Sequence, residues 1–458
     1  MIALGCPKNR VDSEQLLGRF LQHGYTLTHD PDQADLLVVN TCGFKADAEA
    51  ESRAAIEEMA AIKARHPDKR LLVTGCLSQR YGNALAEQIP AIDVLLGSAQ
   101  YERVIPLLAA NQASGQPVLQ VEPVSMQANV PDPDQRVLTT PSHSAYVKIA
   151  EGCNNTCAFC IIPQLRGRFR SRPPEEIVAE VERLAAQGVV EINLVSQDTT
   201  LYGRDLSPRT SLAALLRRLG QVQAIAWIRT LYLYPTLINE ELLQVMAGEE
   251  KIVPYLDVPL QHSHTAVLAR MRRAERAEDI EQLLQRIRHH LPHAALRTTF
   301  IVGFPGESDA EFDHLQALVR QEWFDHLGVF TYSDEPGCRA YTLPDKIDPA
   351  LASQRRQHLL ALQQPISRRK LRQWVGKTVP VLVEGVSAEH SGLMLGRTRQ
   401  QAPEIDGVVY LNAGQPQAGS LLPVRITDSH EYDLVGHPAS LRLTPPPSRT
   451  TSRKRTRR

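Results

Sequence analysis

Six times between residue 145 and about residue 333, a short apolar run gives way to a helical pattern, and the first of these runs leads into three closely spaced cysteines. The candidate strands cover 146–150, 191–195, 227–231, 255–258, 297–302 and 327–331, with helical stretches such as 174–187, 279–290 and 309–321 between them. Strands joined through helices run parallel, because each helix carries the chain back to the edge where the strand began. Six such units predict an α/β fold with a partial parallel barrel, whose working residues gather at the carboxyl ends of the strands.

The flanking segments follow different patterns. Strand signals at 2–4, 36–39, 71–73 and 94–96 alternate with helical stretches at 13–22, 46–63 and 79–88, which predicts a separate parallel sheet covered by helices. Asp12 is the expected N-cap of the first helix. The first strand is short, so either the sheet edge is trimmed or the natural start lies upstream. Residues 122–144 carry Pro123, Pro131, Pro133 and Pro141 with little apolar pattern and read as a linker. A helix over 351–373 leads to β-rich runs at 378–386, 392–398, 407–411 and 421–428, the pattern of a small antiparallel barrel. The expected division is 1–121, a linker 122–144, 145–374, 375–440 and a tail 441–458.

Net charge is zero, yet the stretch 449–458 carries six basic side chains and no acidic one, so the rest sums to −6. A nucleic-acid enzyme more often has a basic body. The tail reads as a solvated appendage, with loose contact to ribosomal RNA as the sharper reading. No apolar run reaches the roughly 20 residues of a membrane span, and no export signal precedes the seven cysteines. Cysteines in that setting favour metal or catalytic use over a disulfide framework, in a reducing cytoplasm.

Cys153, Cys157 and Cys160 stand in the order C-x-x-x-C-x-x-C. Thiolates are soft ligands suited to iron–sulfur clusters, and three of them leave one iron of a four-iron cubane free to take a ligand from elsewhere. The rival reading is a zinc site closed by a histidine such as His143, although zinc loops usually pair cysteines as two C-x-x-C units. Cys6, Cys42 and Cys76 are scattered, but each follows an apolar strand: Ile2-Ala3-Leu4-Gly5-Cys6, Val38-Val39-Asn40-Thr41-Cys42 and Leu72-Val73-Thr74-Gly75-Cys76. A lone cysteine is usually a small buried hydrophobe. Three at the carboxyl ends of parallel strands predict a second cluster. Cys338 has no such companion and reads as a loop thiol.

The central loop, including Phe159, resembles the motif of the radical S-adenosylmethionine superfamily. The chain as a whole is similar to its methylthiotransferase family. Leu4-Gly5-Cys6-Pro7-Lys8-Asn9 with Val11-Asp12-Ser13-Glu14 resembles that family's first motif, Asn40-Thr41-Cys42 and Thr74-Gly75-Cys76 resemble its second and third cluster ligands, and the final β domain resembles a TRAM module. The resemblance implies two [4Fe–4S] clusters, S-adenosyl-L-methionine as cofactor and a reducing electron donor. Ser196-Gln197-Asp198-Thr199-Thr200 and Gln401-Ala402-Pro403-Glu404 resemble the RimO branch, which modifies an aspartate of ribosomal protein S twelve; the sister branch acts on isopentenyladenosine in transfer RNA. Four basic and seven acidic residues between Gly376 and His437, net −3, suit a basic protein substrate better than an RNA. A non-enzymatic iron–sulfur sensor is the reading from another class. Gln197 and Asp198, after the second barrel strand, are candidate contacts to the cofactor. Gly303 and Gly306 either let backbone approach it or form a tight turn. Tyr232, Tyr234, His262 and His264 read as packing or polar lining.

Overall fold

The structure is a computed structural model and describes residues 1–124, 136–390 and 392–440. Much of the expected linker, 125–135, and the basic tail from 441 lie outside the described residues. The chain divides into two compact units: Met1–Ser367 with Arg399–Ala402, and Arg368–Thr398 with Pro403 onward. Among the described residues no helix is long and apolar enough to cross a membrane.

The first unit begins with a five-stranded sheet. Its elements are β1 (Ile2–Ala3), α1 (Pro7–Gln22), β2 (Leu36–Thr41), α2 (Ala46–Arg65), β3 (Arg70–Gly75), α3 (Cys76–Tyr81), α4 (Asn83–Gln88), β4 (Val94–Leu96), α5 (Val104–Ser114) and β5 (Val118–Gln120). The strands lie in sequence order and are all parallel. The period of two sorts their side chains cleanly. Leu37, Val39, Leu71, Val73 and Leu95 pack with Ile56, Met59 and Ile62 of α2 on one face. Val38, Leu72, Val94 and Leu96 meet Leu16 and Phe20 of α1 and Leu107 and Leu108 of α5 on the other. Each such fully buried aliphatic side chain contributes roughly 1.5–3 kcal/mol.

Three expectations need correction here. The first helix starts at Pro7, where a missing N–H costs nothing, so Asp12 is an interior helical residue with 0% exposure and not an N-cap. The helix expected over 79–88 is two short helices, broken at Gly82 with φ +52°. The sheet has five strands where four were expected, with α5 preceding the last.

The second part of this unit holds β6 (Ser144–Lys148), β7 (Ala150–Glu151), α6 (Ile162–Arg166), β8 (Arg170–Ser171), α7 (Pro174–Ala186), β9 (Glu191–Val195), α8 (Leu212–Gly220), β10 (Trp227–Thr230), α9 (Glu240–Gly248), β11 (Tyr255–Asp257), α10 (Thr265–Arg270), α11 (Ala277–His290), β12 (Ala295–Val302), α12 (Asp309–Arg320), β13 (His326–Thr331) and α13 (Pro349–Arg372) up to Ser367. All six expected strands are present and parallel, in the order β6-β9-β10 and β11-β12-β13. A parallel bridge between Ile228 and Ile252, with Leu233 N–H donating to Asp257 O at 2.8 Å, joins the two halves. The result is a partial barrel with a core of Val147, Leu194, Ile228, Leu256 and Phe300, packed by helical side chains such as Ile177 and Leu315.

The second unit closes β14 (Thr378–Val386), β15 (Met394–Thr398), β16 (Val409–Leu411), β17 (Leu421–Ser429) and β18 (Leu434–Pro438) into a barrel of order β14-β15-β16-β18-β17. All pairs are antiparallel except β16 with β18. Val381, Val383, Val409, Val424 and Ile426 fill it. Closure removes the sheet edges that would otherwise invite association. The last strand, Leu434–Pro438, lies beyond the β-rich runs expected from the sequence.

Candidate active site

Cys6, Cys42 and Cys76 follow β1, β2 and β3, three neighbouring strands. Register pairs Ala3 with Asn40 and Thr41 with Gly75, which brings the strand ends level. Polar side chains fasten these ends to α1 and to one another. Asn9 Nδ2 donates to Leu4 O at 2.6 Å, and Asn40 Nδ2 donates to Ser13 Oγ at 2.8 Å. Ser52 Oγ takes the Cys42 N–H at 2.9 Å and donates to Cys42 O at 2.8 Å. Glycine is required twice: a Cβ on Gly5 would stand 2.9 Å from Cys42 Cβ, and one on Gly75, where φ is +100°, would stand 2.4 Å from Thr41 O.

Cys153, Cys157 and Cys160 lie in the loop after β7. The antiparallel pair β7–β8 closes the base of that loop, with Cys153 N–H donating to Gly167 O at 3.1 Å. Gly152 has φ +81° and a Cβ there would strike Arg168 O at 2.2 Å, so the crossing demands glycine. Farther along, Ala158 N–H donates to Met271 O and Ala340 N–H to Ala158 O, both at 2.8 Å, tying the loop to segments after β11 and β13. The three cysteines open onto one cavity of about 580 Å³, together with Asn155, Arg168, Phe169 and Cys338.

Burial pushes the thiols up, Cys153 to about 11 and Cys76 to about 12, and raises Cys42, Cys157 and Cys160 as well. Buried thiols of this kind ionise when a metal takes the proton's place. Among the described residues no three Cys, His, Asp or Glu side chains converge on the spacing of one ion. Zinc would hold its sulfurs at about 2.3 Å from a single point, whereas a cubane carries them on separate corners around a volume. His143 sits before β6, at the opposite end of that strand from Cys153, so it cannot close a zinc site with the loop.

Gln197 and Asp198 lie beside the cysteine loop. Gln197 Nε2 donates to Glu151 Oε1 at 2.7 Å, and its buried Oε1 has no partner. Asp198 accepts from Asn155 Nδ2 at 2.8 Å and Thr200 Oγ1 at 2.6 Å, while burial raises its carboxyl. Gly303 and Gly306 form a tight turn: Gly303 N–H donates to Glu307 Oε2 at 2.6 Å, and a Cβ there would lie 2.4 Å from Ala352 Cβ. That turn accounts for the glycines without a ligand. Tyr234 lies beneath the Arg273 guanidinium, 4.4 Å from the ring centroid, and Tyr232 beneath the Lys8 ammonium at 3.4 Å. Tyr232 holds a φ of +61°, costly for a side chain of its size. His262 is buried and pushed down to about 3 by desolvation, so it is neutral; His264 Nδ1 accepts from Ala266 N–H at 3.3 Å and caps α10.

Cys338 is more than a loop thiol. It lines the central cavity and packs in one apolar cluster with Ile161, Leu165 and Cys76. Also missed was the charged cluster between the two trios. Arg166 donates from Nη1 to Asp12 Oδ2 at 2.6 Å, from Nη2 to Asn9 Oδ1 at 3.0 Å and from Nε to Cys76 Sγ at 3.3 Å. Lys148 bridges Asp12 and Glu151. Burial opposes ionisation of Glu151, but Lys148 and Arg166 outweigh it and hold the carboxyl well below its ordinary range. The signal available was a run of charged residues beside each cysteine motif.

Family models match along this arrangement: Uncharacterized protein family UPF0004 over residues 1–97, the Radical SAM superfamily over 147–319 and the TRAM domain over 375–438. The ribosomal protein uS12 methylthiotransferase RimO of Syntrophotalea carbinolica is 47% identical over 441 residues, covering 95% of each chain. This chain belongs to the RimO family of methylthiotransferases. The RimO of Myxococcus xanthus is 46% identical over 435 residues, 95% of this chain and 90% of its own. The radical S-adenosylmethionine methyltransferase TsrM of Kitasatospora setae shares the fold at TM-score 0.54 and 14% identity, over 78% of this chain and 86% of its own.

Proposed function

We propose that this RimO-family chain adds a methylthio group to the β-carbon of an aspartate in ribosomal protein uS12. One observation carries the reading: one cysteine trio stands at three neighbouring strand ends of a parallel sheet and the other in the single loop closed by β7 and β8, within one compact unit. Relatives named as uS12 methylthiotransferases support the choice of substrate. Cys153, Cys157 and Cys160 would hold one [4Fe–4S] cluster, with S-adenosyl-L-methionine bound beside it, and Cys6, Cys42 and Cys76 would hold a second. Bound there, these groups supply radical generation and the sulfur to be transferred, chemistry that protein side chains cannot provide.

The chain's own residues bind, orient and shield. Gln197, with its unpartnered Oε1, and Asp198 present polar atoms beside Cys153 for the amino-acid end of S-adenosyl-L-methionine. Asn155 fixes Asp198 and thereby the loop. Tyr232 and Tyr234 follow β10 and pack beneath Lys8 and Arg273. The β domain, net −3, attracts a basic ribosomal protein. A reducing electron donor, a cytoplasmic location and a salt-dependent contact of the basic tail with ribosomal RNA complete the proposal.

Reconstituted variants test the assignment of the two trios. Cys153→Ala should abolish reductive cleavage of S-adenosyl-L-methionine. Cys42→Ala should retain cleavage and lose transfer to a uS12 peptide. Cleavage by Cys153→Ala, or transfer by Cys42→Ala, contradicts it.

A further inference from the structure

Arg166 belongs by sequence to the central domain, yet its guanidinium ends among residues of the N-terminal sheet. It is 2% exposed, and each of its three nitrogens donates to a different N-terminal residue: Nη1 to Asp12, Nη2 to Asn9 and Nε to Cys76 Sγ at 3.3 Å. Asp12 and Asn9 fix the plane of the guanidinium, so the Nε–H is aimed at sulfur and not free to rotate away. Asp12 is itself held by Lys148, and Asn9 is anchored on Leu4 O beside Cys6. Such a fully tethered donor is costly to bury and difficult to explain by packing alone.

We propose that Arg166 is a positioning residue for the N-terminal cluster, donating a hydrogen bond to the Cys76 thiolate and setting that cluster's reduction potential. The inference rests on the reading that Cys76 is a cluster ligand. Hydrogen bonds to cluster sulfurs and nearby positive charge stabilise the reduced, more negative state and raise the potential. Arg166 would thus set the electron affinity of the sulfur-carrying site from the domain that generates the radical. The guanidinium sits on the helix that follows the Cys153–Cys160 loop, so a displacement of that loop reaches Cys76 through one side chain.

The test uses full-length protein carrying Cys153→Ala, Cys157→Ala and Cys160→Ala, reconstituted with iron and sulfide so that only the N-terminal trio holds a cluster. With arginine labelled at Nε with nitrogen-15, pulsed electron paramagnetic resonance of the reduced cluster should show a nitrogen-15 coupling. Added Arg166→Lys, which keeps the charge but not the planar donor, should lose that coupling and move the midpoint potential to a more negative value at unchanged iron content. Iron bound with no nitrogen-15 coupling overturns the role of Arg166 alone, whatever the variant does. So does an Arg166→Lys protein with unaltered coupling or potential. Absence of iron in the triple-alanine protein overturns the cluster reading, and this inference with it.

Discussion

Asp12 of the first helix and Arg166 of the central domain meet at 2.6 Å, with the Asp12 carboxylate 0% exposed. The same carboxylate bonds Lys148 from the first barrel strand. Asp12 therefore joins Glu151 in neutralising two buried cations from the domain next to it in sequence.

Asp12→Ala should leave both cations with the single carboxylate of Glu151 between them. Removing one partner of a buried pair costs about 3–5 kcal/mol. Denaturant unfolding of the metal-free chain should show a midpoint lowered accordingly, while Asp47→Ala, at an exposed lysine pair, should change it by less than about 1 kcal/mol.

Gly75 precedes Cys76 and has φ +100° with no room for a Cβ. Gly75→Ala should cost at least about 1–3 kcal/mol from backbone strain alone. Because the strain falls beside a predicted ligand, iron retention by the N-terminal trio should fall as well. Iron analysis of Gly75→Ala in the triple-alanine background checks this, and full retention counts against the placement of Cys76.

Glu180 accepts from Arg172 at 2.6 Å and Arg136 at 2.9 Å, and Arg136 in turn pairs with Glu14 at 2.6 Å. Burial opposes its ionisation, but the two arginines outweigh it and lower its pKa from 4.5. A lowered folded-state pKa gives stability that is fully present above the unfolded value and lost as pH falls through the folded one. The difference in Tm between the parent and Glu180→Gln should therefore be constant above about pH 5 and shrink progressively below about pH 4.5. Thermal melts by circular dichroism across that range decide it, and a difference that widens at low pH contradicts the assignment.

Gln197 keeps a buried oxygen unpartnered beside the central trio. Gln197→Leu should bind S-adenosyl-L-methionine more weakly, by roughly tenfold if one hydrogen bond of about 1.5 kcal/mol is lost. Equilibrium dialysis of reconstituted protein measures it, and unchanged binding removes Gln197 from the cofactor set.

The cysteine trios were legible because their positions depend on local pattern: an apolar strand followed by a thiol. The six barrel strands were legible for the same reason. Asp12 was misread because a polar residue before an apolar periodic run looks like a cap, and only Pro7 indicated the earlier start. Arg166 follows the central cysteines closely, but its N-terminal partners lie 90 to 157 positions away, as the bonds to Cys76 and Asn9 show. Long-range charge pairing leaves no periodic trace in a sequence. Cys338 joined the cavity for the same reason, through a loop after β13 whose path local propensity does not set.

Mass spectrometry of ribosomal protein uS12 from cells with and without this gene tests the central claim most directly. The account predicts a methylthio group on one aspartate that disappears with the gene, returns with the parent chain and fails to return with Cys42→Ala, while methylthiolated nucleosides of transfer RNA are unchanged. A uS12 that keeps its methylthio group without the gene, or transfer RNA that loses its own, would contradict it.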